Sequence, residues 1–441
     1  MLSIIIQVFA KASFKYTFMK NEYRYGMSFL QKIEGYYNKI KKTNALGVLF
    51  VDAFALVIGI INGFFLPKVF SIEGFAVFKA FSLYTVYAVI FSMGLSDGLY
   101  IIYGGKDKDK IDPAELKAYY FFMLKLQLLV FTVLLIFSIA VIRDKAFTFF
   151  TFFVLPLQVI HFFRLYFRAP GELASYARAQ GFVCLLEFLD TILVVWVLKS
   201  QNPDLFIILK IINHFLLAAV LSGLLLLGTR NVKPLKFDAK SHFKVMKTGI
   251  YTLCADTLAL LIFSIDRWFI FFAFDKITFA WYSFAVSIMN IFLMMIVSFM
   301  NMLYSYMSKT ARNLAVRKKI YRTVFILSSI FPFCYFLIKP IITHFLPLYA
   351  ESLSVLWILM LGLPFVSVLN IFYINLYKAT GRVLPYLKKM LVILLAAVLL
   401  NSVAAFVVKS PRAISFAMLA TYGVWIAYFG RDVAFKQKCE S

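Results

Sequence analysis

The stretch ALGVLFVDAFALVIGIINGFFL (45–66) contains one charged side chain, Asp52. A hydrocarbon layer about 30 Å thick is crossed by about 20 residues of α-helix, whose backbone hydrogen bonds are all internal. Eleven similar stretches follow, and the apolar runs are continuous, which favours helices over strands. The sequence therefore predicts an all-α polytopic membrane protein with twelve spans: 45–66, 75–98, 118–142, 146–167, 175–198, 205–228, 248–273, 278–306, 319–338, 351–377, 385–408 and 412–430.

The 46 Lys and Arg residues are distributed unevenly, and the distribution predicts the orientation of the spans. Most lie in residues 1–44, in the C-terminal tail and in every second loop. The opposite loops hold isolated basic residues only. The positive-inside rule therefore places both termini in the cytoplasm. The basic residues behind the net charge of +25 are concentrated in these loops and tails. This distribution indicates contact with anionic lipid headgroups and argues against nucleic-acid binding.

A basic loop divides the chain into two halves. Residues 229–247 are predicted to link a first six-helix bundle (45–228) to a second (248–430), with a cytoplasmic tail at 431–441. A weak repeat agrees, because VDAFAL (51–56) aligns with ADTLAL (255–260) and pairs Asp52 with Asp256. Both segments start from the same side, so the repeat is parallel.

The first 44 residues are predicted to form a cytoplasmic N-terminal segment. An apolar piece, LSIIIQVFA (2–10), precedes a basic stretch, which is the reverse of a signal peptide. Two interpretations stay open: an interfacial amphipathic helix, or a translation start at Met27.

Charged residues inside spans are costly and usually face a cavity or a partner. We take them, together with one histidine, as the candidate site residues. The cations are Lys79, Lys125, Lys210 and Arg267; the acids are Asp52, Asp97, Glu187, Asp190, Asp256 and Asp266; the histidine is His214.

Their spacing groups several of these residues on shared helix faces. Asp256 and Arg267 are about three turns apart on the seventh span. Lys79 and Asp97 are about five turns apart on the second span, near its opposite ends. A polar, partly cationic interior cavity accounts for both pairs.

Two neighbouring spans carry a denser polar pattern. Glu187 and Asp190 are i,i+3 neighbours on the fifth span. Lys210 is followed by Asn213 and His214 at the same helical spacing on the sixth. These groups also fit a polar cavity.

Local roles remain as alternatives for four of the charges. Lys79 and Lys210 lie near span ends, where their ammonium groups could snorkel to the interface, and Lys125 could do so in part. Asp97 could cap or pair locally.

Motifs for catalysis and for metals are missing from the sequence. There is no GxxxxGK[ST] phosphate loop, and the four His and four Cys residues are scattered without metal-ligand spacing. The outward loops are too short for a catalytic domain. The sequence therefore predicts a transporter without enzymatic activity, resident cofactor or metal. Proton or sodium coupling stays open.

One stretch is similar to a known family. SMGLSDGLYIIYGG (92–105) resembles the G-x-x-D-G-[LI]-x-x-[RK]-Y-G-G segment of Wzx-type polysaccharide flippases, although Ile102 replaces the usual basic residue. These flippases belong to the multidrug/oligosaccharidyl-lipid/polysaccharide (MOP) superfamily. Four further stretches resemble family segments in the same order: LPKVFSIEGFAVF (66–78), SIDRWFIFFAFDKITFAWYSFA (264–285), FLPLYAESLSVLWILMLGLPF (345–365) and INLYKATGR (374–382).

The resemblance implies two six-helix bundles around a central cavity in the bacterial inner membrane. The substrate would be an undecaprenyl-diphosphate-linked oligosaccharide, moved outward by alternating access for O-antigen, capsule or exopolysaccharide synthesis. Arg267 and Lys125 would be the leading diphosphate contacts, followed by Lys79 and Lys210. The acids, first Asp52 and Asp256, would offset cavity charge or carry the coupling ion. Expected partners are membrane lipids, a polysaccharide polymerase and a chain-length regulator.

Three rival interpretations remain. A drug or organic-cation antiporter of the same superfamily would need a cavity that favours acids over bases. An integral-membrane glycosyltransferase would transfer sugar, and the short outward loops argue against it. A scaffold subunit would tolerate loss of Asp256 or Arg267.

Overall fold

The computed structural model describes residues 45–236, 238–310, 314–370 and 383–435, and these ranges contain helices and no strand. Twelve helical segments within them are long and apolar enough to cross a membrane, which confirms the predicted twelve spans. The first six are Ala45–Val69, Ile72–Val86, Pro113–Phe137, Lys145–Arg168, Leu173–Thr191 and Pro203–Gly228. The others are Ala239–Ala273, Lys276–Thr310, Leu314–Ser328 with Tyr335–Phe345, Leu353–Val368, Val383–Ser402 and Pro411–Phe435. The predictions for residues 1–44 and for INLYKATGR (374–382) lie outside the described residues.

The spans pack as two six-helix bundles with the same internal arrangement. In the first half, the first span packs on the fifth, the fourth on the second, third and sixth, and the fifth on the sixth. The second half repeats each contact six spans later: seventh on eleventh, tenth on eighth, ninth and twelfth, and eleventh on twelfth. The bundles meet where the second span contacts the eighth, the first contacts the eighth, and the second contacts the seventh.

The C-terminal ends of the fifth and eleventh spans show the same repeat in backbone detail. Each span finishes with a wider π-helical turn and then a lysine with positive φ, Lys199 (47°) or Lys409 (53°). The amide of the next residue, Ser200 or Ser410, donates to the carbonyl six residues back, at 3.1 and 3.4 Å. The lysines therefore lie at helix C-termini, where the negative end of the helix dipole stabilises a positive charge.

The second span ends earlier than predicted. Its α-helix gives way to a 3₁₀ turn at Tyr87–Ser92, and then Met93 and Gly94 take positive φ angles of 48° and 79°. A separate short helix, Leu95–Tyr103, begins there. The prediction that Lys79 and Asp97 share one face of the second span is therefore wrong. Asp97 lies in the first turn of the short helix, where it accepts a hydrogen bond from Ser92 Oγ at 3.3 Å.

Side-chain amides support the 3₁₀ turn. Gln127 Nε2 of the third span donates to the Phe91 carbonyl at 2.8 Å, and Gln158 Nε2 of the fourth donates to the Ala88 carbonyl. Both Gln side chains are buried. Neighbouring helices thus provide hydrogen bonds where the helix geometry changes, as a hydrocarbon environment demands.

Two further features concern the start of the seventh span and the middle of the ninth. The seventh span begins at Ala239 rather than 248, so the segment between the bundles is about half as long as predicted. The ninth span is interrupted at Phe331–Cys334, around Pro332, because proline lacks the amide hydrogen that an α-helix needs.

Glycines bring the short helix into backbone contact with the seventh span. A Cβ on Gly98 would lie 2.1 Å from the Val245 carbonyl oxygen, and one on Gly249 would lie 2.0 Å from the Gly94 oxygen. Both distances are shorter than any real carbon–oxygen contact. This crossing joins the two bundles at the end that the charge distribution assigns to the cytoplasm.

We expect Gly249→Ala to destabilise the protein by about 1–3 kcal/mol, because the added carbon must push the two backbones apart. The matched control is Gly223→Ala, a helical position with nothing within 4 Å of its Cβ. The midpoint of thermal unfolding in detergent should fall for the first variant and hold or rise for the second. Equal midpoints for Gly249→Ala and wild type would show that the crossing is looser than described.

Candidate functional site

Lys79 crosses from one bundle to the other. Its Nζ donates to Ser287 Oγ of the eighth span at 2.7 Å. The same ammonium lies 5.0 and 5.4 Å from the ring centroids of Phe75 and Phe78. No carboxylate of the described residues forms an ion pair with it. Lys79 is therefore a half-buried cation at the bundle interface that relies on a hydroxyl and two aromatic rings.

Arg267 lies close to this lysine and beside an acid. Its Nε is 4.0 Å from Asp266 Oδ1, and its charge is near enough to act on Lys79. Asp266 is buried, and its Oδ2 accepts from the Tyr282 hydroxyl of the eighth span at 2.9 Å. Ser415 of the twelfth span donates to the same hydroxyl at 3.5 Å. Asp266 thus joins three spans of the second bundle and partly balances Arg267.

An aromatic group that the sequence interpretation missed lies next to these charges. Trp268 Nε1 donates to the Tyr87 hydroxyl at 2.8 Å, and this hydroxyl also hydrogen-bonds Ser264. The Tyr84 ring packs edge-on against Trp268 with centroids 5.6 Å apart. The group links the second and seventh spans. No sequence signal marked it, since the chain has 51 Phe and 25 Tyr residues.

The polar stripes of the fifth and sixth spans face each other inside the first bundle. Lys210 Nζ is 2.8 Å from Glu187 Oε1, and Asn213 Nδ2 lies 2.8 Å from both carboxylate oxygens of Asp190. His214 is buried, with its Nδ1 2.8 Å from the Lys210 carbonyl. These residues line one small pocket. Lys210 therefore pairs inside the bundle rather than snorkelling to the interface.

The structure does not bring Lys125 to the other candidate cations. It is exposed on the third span among exposed apolar residues, including Leu128 and Leu129. The buried face of that span carries Met123 and Gln127 instead. The third span itself packs chiefly on the fourth, within the first bundle.

The remaining acids lie in separate places. Asp52 of the first span is half-buried, within electrostatic reach of Arg164 and Arg168 of the fourth. Asp256 is half-buried on the seventh span, on the same continuous helix as Arg267. Two groups of predicted site residues result. Lys79, Arg267 and Asp266 lie at or near the bundle interface, and Glu187, Asp190, Lys210 and His214 lie inside the first bundle.

The fold matches solved transporters of the MOP superfamily. The structure of the lipid II flippase MurJ in an inward closed conformation superposes with a TM-score of 0.66 at 15% identity, covering 88% of this chain and 87% of that one. An inward-facing multidrug resistance MATE family transporter gives 0.65 at 11% identity, covering 89% and 96%. An outward-facing MATE transporter gives 0.61 at 13%, covering 88% and 94%.

No protein-family model and no curated protein matches the chain. At these identities the solved structures establish the MOP fold, and the substrate has to be argued from this chain's own residues.

We expect Lys210→Met and Glu187→Gln to destabilise the protein singly and the double variant to recover part of the loss. Each single change leaves a charge inside the bundle without its partner. A double-mutant cycle on unfolding midpoints should give a coupling of about 0.5–3 kcal/mol. The same cycle on the more exposed Lys145–Asp204 pair is the control and should give about 0–1 kcal/mol. Additive effects at Lys210 and Glu187 would argue against the pairing.

Proposed function

We propose that the protein is a flippase for undecaprenyl-diphosphate-linked oligosaccharide in the bacterial inner membrane, working by alternating access for surface polysaccharide synthesis. Arg267 and Lys79 would contact the diphosphate, with Lys210 close by. The MOP fold and the resemblance of SMGLSDGLYIIYGG (92–105) to Wzx-type flippases support the proposal. Both termini would lie in the cytoplasm.

The observation that carries the proposal is the environment of Lys79. The Lys79 ammonium lies between two bundles, where it contacts Ser287 and two aromatic rings. These contacts solvate a charge in the membrane only incompletely. A diphosphate would complete that shell with charge-assisted hydrogen bonds. Arg267 adds a second cation with planar donors that suit phosphate oxygens.

The same contact offers a route to alternating access. Lys79 bonds Ser287 only while the second and eighth spans are in contact. A headgroup that takes the ammonium from Ser287 would weaken one bundle contact as it binds. Binding would then favour a different arrangement of the bundles, because a ligand shifts a protein toward the conformation that it binds more tightly.

The acids supply candidates for ion coupling. Asp190 is buried and accepts hydrogen bonds from the Asn213 amide, whereas Glu187 has the Lys210 ammonium. Asp190 is thus hydrogen-bonded to the neutral amide of Asn213, whereas Glu187 is paired with the Lys210 cation. We propose Asp190 as a proton or sodium site, together with Asp52 and Asp256, which the sequence repeat pairs.

Asp190 also favours the second candidate function, export of organic cations. A buried carboxylate without a cationic partner in the described residues attracts positive charge, and several structural neighbours are multidrug transporters. The two functions differ in which residue the substrate requires: Lys79 and Arg267 for an anionic headgroup, Asp190 for a cation.

We expect a chromosomal deletion to abolish surface polysaccharide and to accumulate lipid-linked repeat units on the cytoplasmic side. Wild type and Lys125→Gln should restore the polysaccharide, while Lys79→Gln and Arg267→Gln should not, at matched membrane expression. Lys125→Gln is the matched control, because it removes the same charge from an exposed apolar face.

Three outcomes would count against this proposal. Unchanged polysaccharide in a deletion strain without a second flippase would contradict it. Rescue by Lys79→Gln and Arg267→Gln would remove the diphosphate assignment. Lost resistance to organic cations, restored by these two variants but not by Asp190→Asn, would favour the cation exporter.

A further inference from the structure

Two arginines at the end of the fourth span form a second cationic group, apart from the bundle interface. The Arg164 and Arg168 guanidinium carbons lie 5.8 and 5.4 Å from the centroid of the Tyr176 ring. Tyr176 belongs to the fifth span, so one ring supports both guanidinium groups. The charge distribution assigns this end of the bundle to the cytoplasm.

Neither guanidinium forms an ion pair with an acid of the described residues, and Asp52 lies within electrostatic reach of both. Among the described residues, Arg164 and Arg168 form no ion pair within 4.0 Å and donate no hydrogen bond. Glu172, the acid in the adjoining turn, is directed elsewhere: it accepts from Ser175 Oγ at 3.3 Å and lies 3.6 Å from Lys108 Nζ. Two planar groups with five N–H donors each are therefore left for a ligand.

A half-buried histidine lies on the same helix face. His161 precedes Arg164 by three residues and Arg168 by seven, so all three lie on one face of the fourth span. Its Nε2 is inaccessible to solvent and has no hydrogen-bond partner in the described part of the chain. Both guanidinium charges are close enough to act on it.

The helix dipole alone does not explain this arrangement. A basic residue in the last turn is stabilised by the negative helix end. That effect needs one charge and no aromatic support. It leaves unexplained why two guanidinium groups share one ring and why Glu172 is paired with Lys108 instead.

We propose that His161, Arg164, Arg168 and Tyr176 form a binding site for the phosphate of a lipid headgroup in the inner leaflet. Paired guanidinium groups bind phosphate oxygens in bidentate fashion. The ring holds the guanidinium groups in place and lowers the entropic cost of binding.

The site lies within electrostatic range of charges deeper in the first bundle. The Arg164 charge reaches Asp52 near the same end and His214 in the inner pocket, and Lys210 of that pocket acts on Lys79. Where the chain is a flippase, this site would receive the headgroup before the bundle interface does. Only that last step rests on the proposed function.

The experiment measures binding without transport. Purified full-length protein in nanodiscs is titrated with three probes: a short polyprenyl diphosphate, phosphatidylglycerol and inorganic pyrophosphate. The test variant is Arg164→Gln with Arg168→Gln. Arg178→Gln is the matched control, because Arg178 is an exposed arginine near the same end whose bond is to Ser175.

We expect the double variant to weaken lipid binding about tenfold or more, and Arg178→Gln to leave it unchanged. A loss confined to polyprenyl diphosphate identifies the diphosphate lipid, and a loss confined to phosphatidylglycerol identifies bulk lipid; both support the site. Wild-type binding of both lipids by the double variant would overturn the proposal, as would a loss seen only with pyrophosphate.

A second variant separates the site from folding. Arg164→Lys with Arg168→Lys keeps both charges and should fold as wild type does. We expect it to bind with lower affinity and to lose preference for diphosphate over monophosphate, because ammonium groups lack the planar fork. Binding without transport would sink the proposed function and leave this site standing.

Discussion

A hydrocarbon layer offers no hydrogen bonds, and this constraint governs both the regular and the irregular parts of the structure. Where the second span tightens into a 3₁₀ turn, Gln127 and Gln158 donate to the carbonyls of Phe91 and Ala88. Where spans end in wider turns, a basic residue with positive φ follows, as Lys199 does. Each departure from an α-helix is thus accompanied by a specific side chain or backbone donor.

The constraint also explains why the two bundles meet as they do. Close approach of Gly94 and Gly98 to Gly249 needs no side chain at all, since backbone packs directly on backbone. Other contacts at the interface are polar or aromatic, such as Lys79 with Ser287 and Trp268 with Tyr87. The first kind of contact is fixed by shape, whereas the second can be exchanged for bonds to a ligand. This difference favours the Lys79 region as the place where a substrate acts.

Much of the fold could be predicted because hydrophobic length and basic loops are strong signals. These two signals were sufficient to predict all twelve spans. The break after Ser92 was missed because YAVIFSMG (87–94) contains no proline, and its single glycine fits a membrane helix. Its cause lies in the partners Gln127 and Gln158, which are distant in sequence.

The candidate site was less predictable, for a physical reason. In a membrane protein both the buried and the lipid-facing sides of a helix are apolar, so periodicity does not tell them apart. Lys125 was predicted as a cavity cation from its depth and as a diphosphate contact from the family resemblance, and the structure leaves its side chain exposed near Leu128 and Leu129. The spacing within Glu187–Asp190 and Lys210–Asn213 was informative because two polar stripes on adjacent spans have few arrangements in which neither faces lipid.

The Arg164 and Arg168 pair shows a different limit of sequence interpretation. Basic residues near span ends were treated as residues that set orientation, and that role is compatible with a second one. The discriminating feature is pairing: Glu172 goes to Lys108, while Tyr176 supports both guanidinium groups. A charge that only sets topology needs no such surroundings, because water and lipid headgroups suffice. Local chemistry around a basic residue therefore carries information that its position relative to the membrane does not.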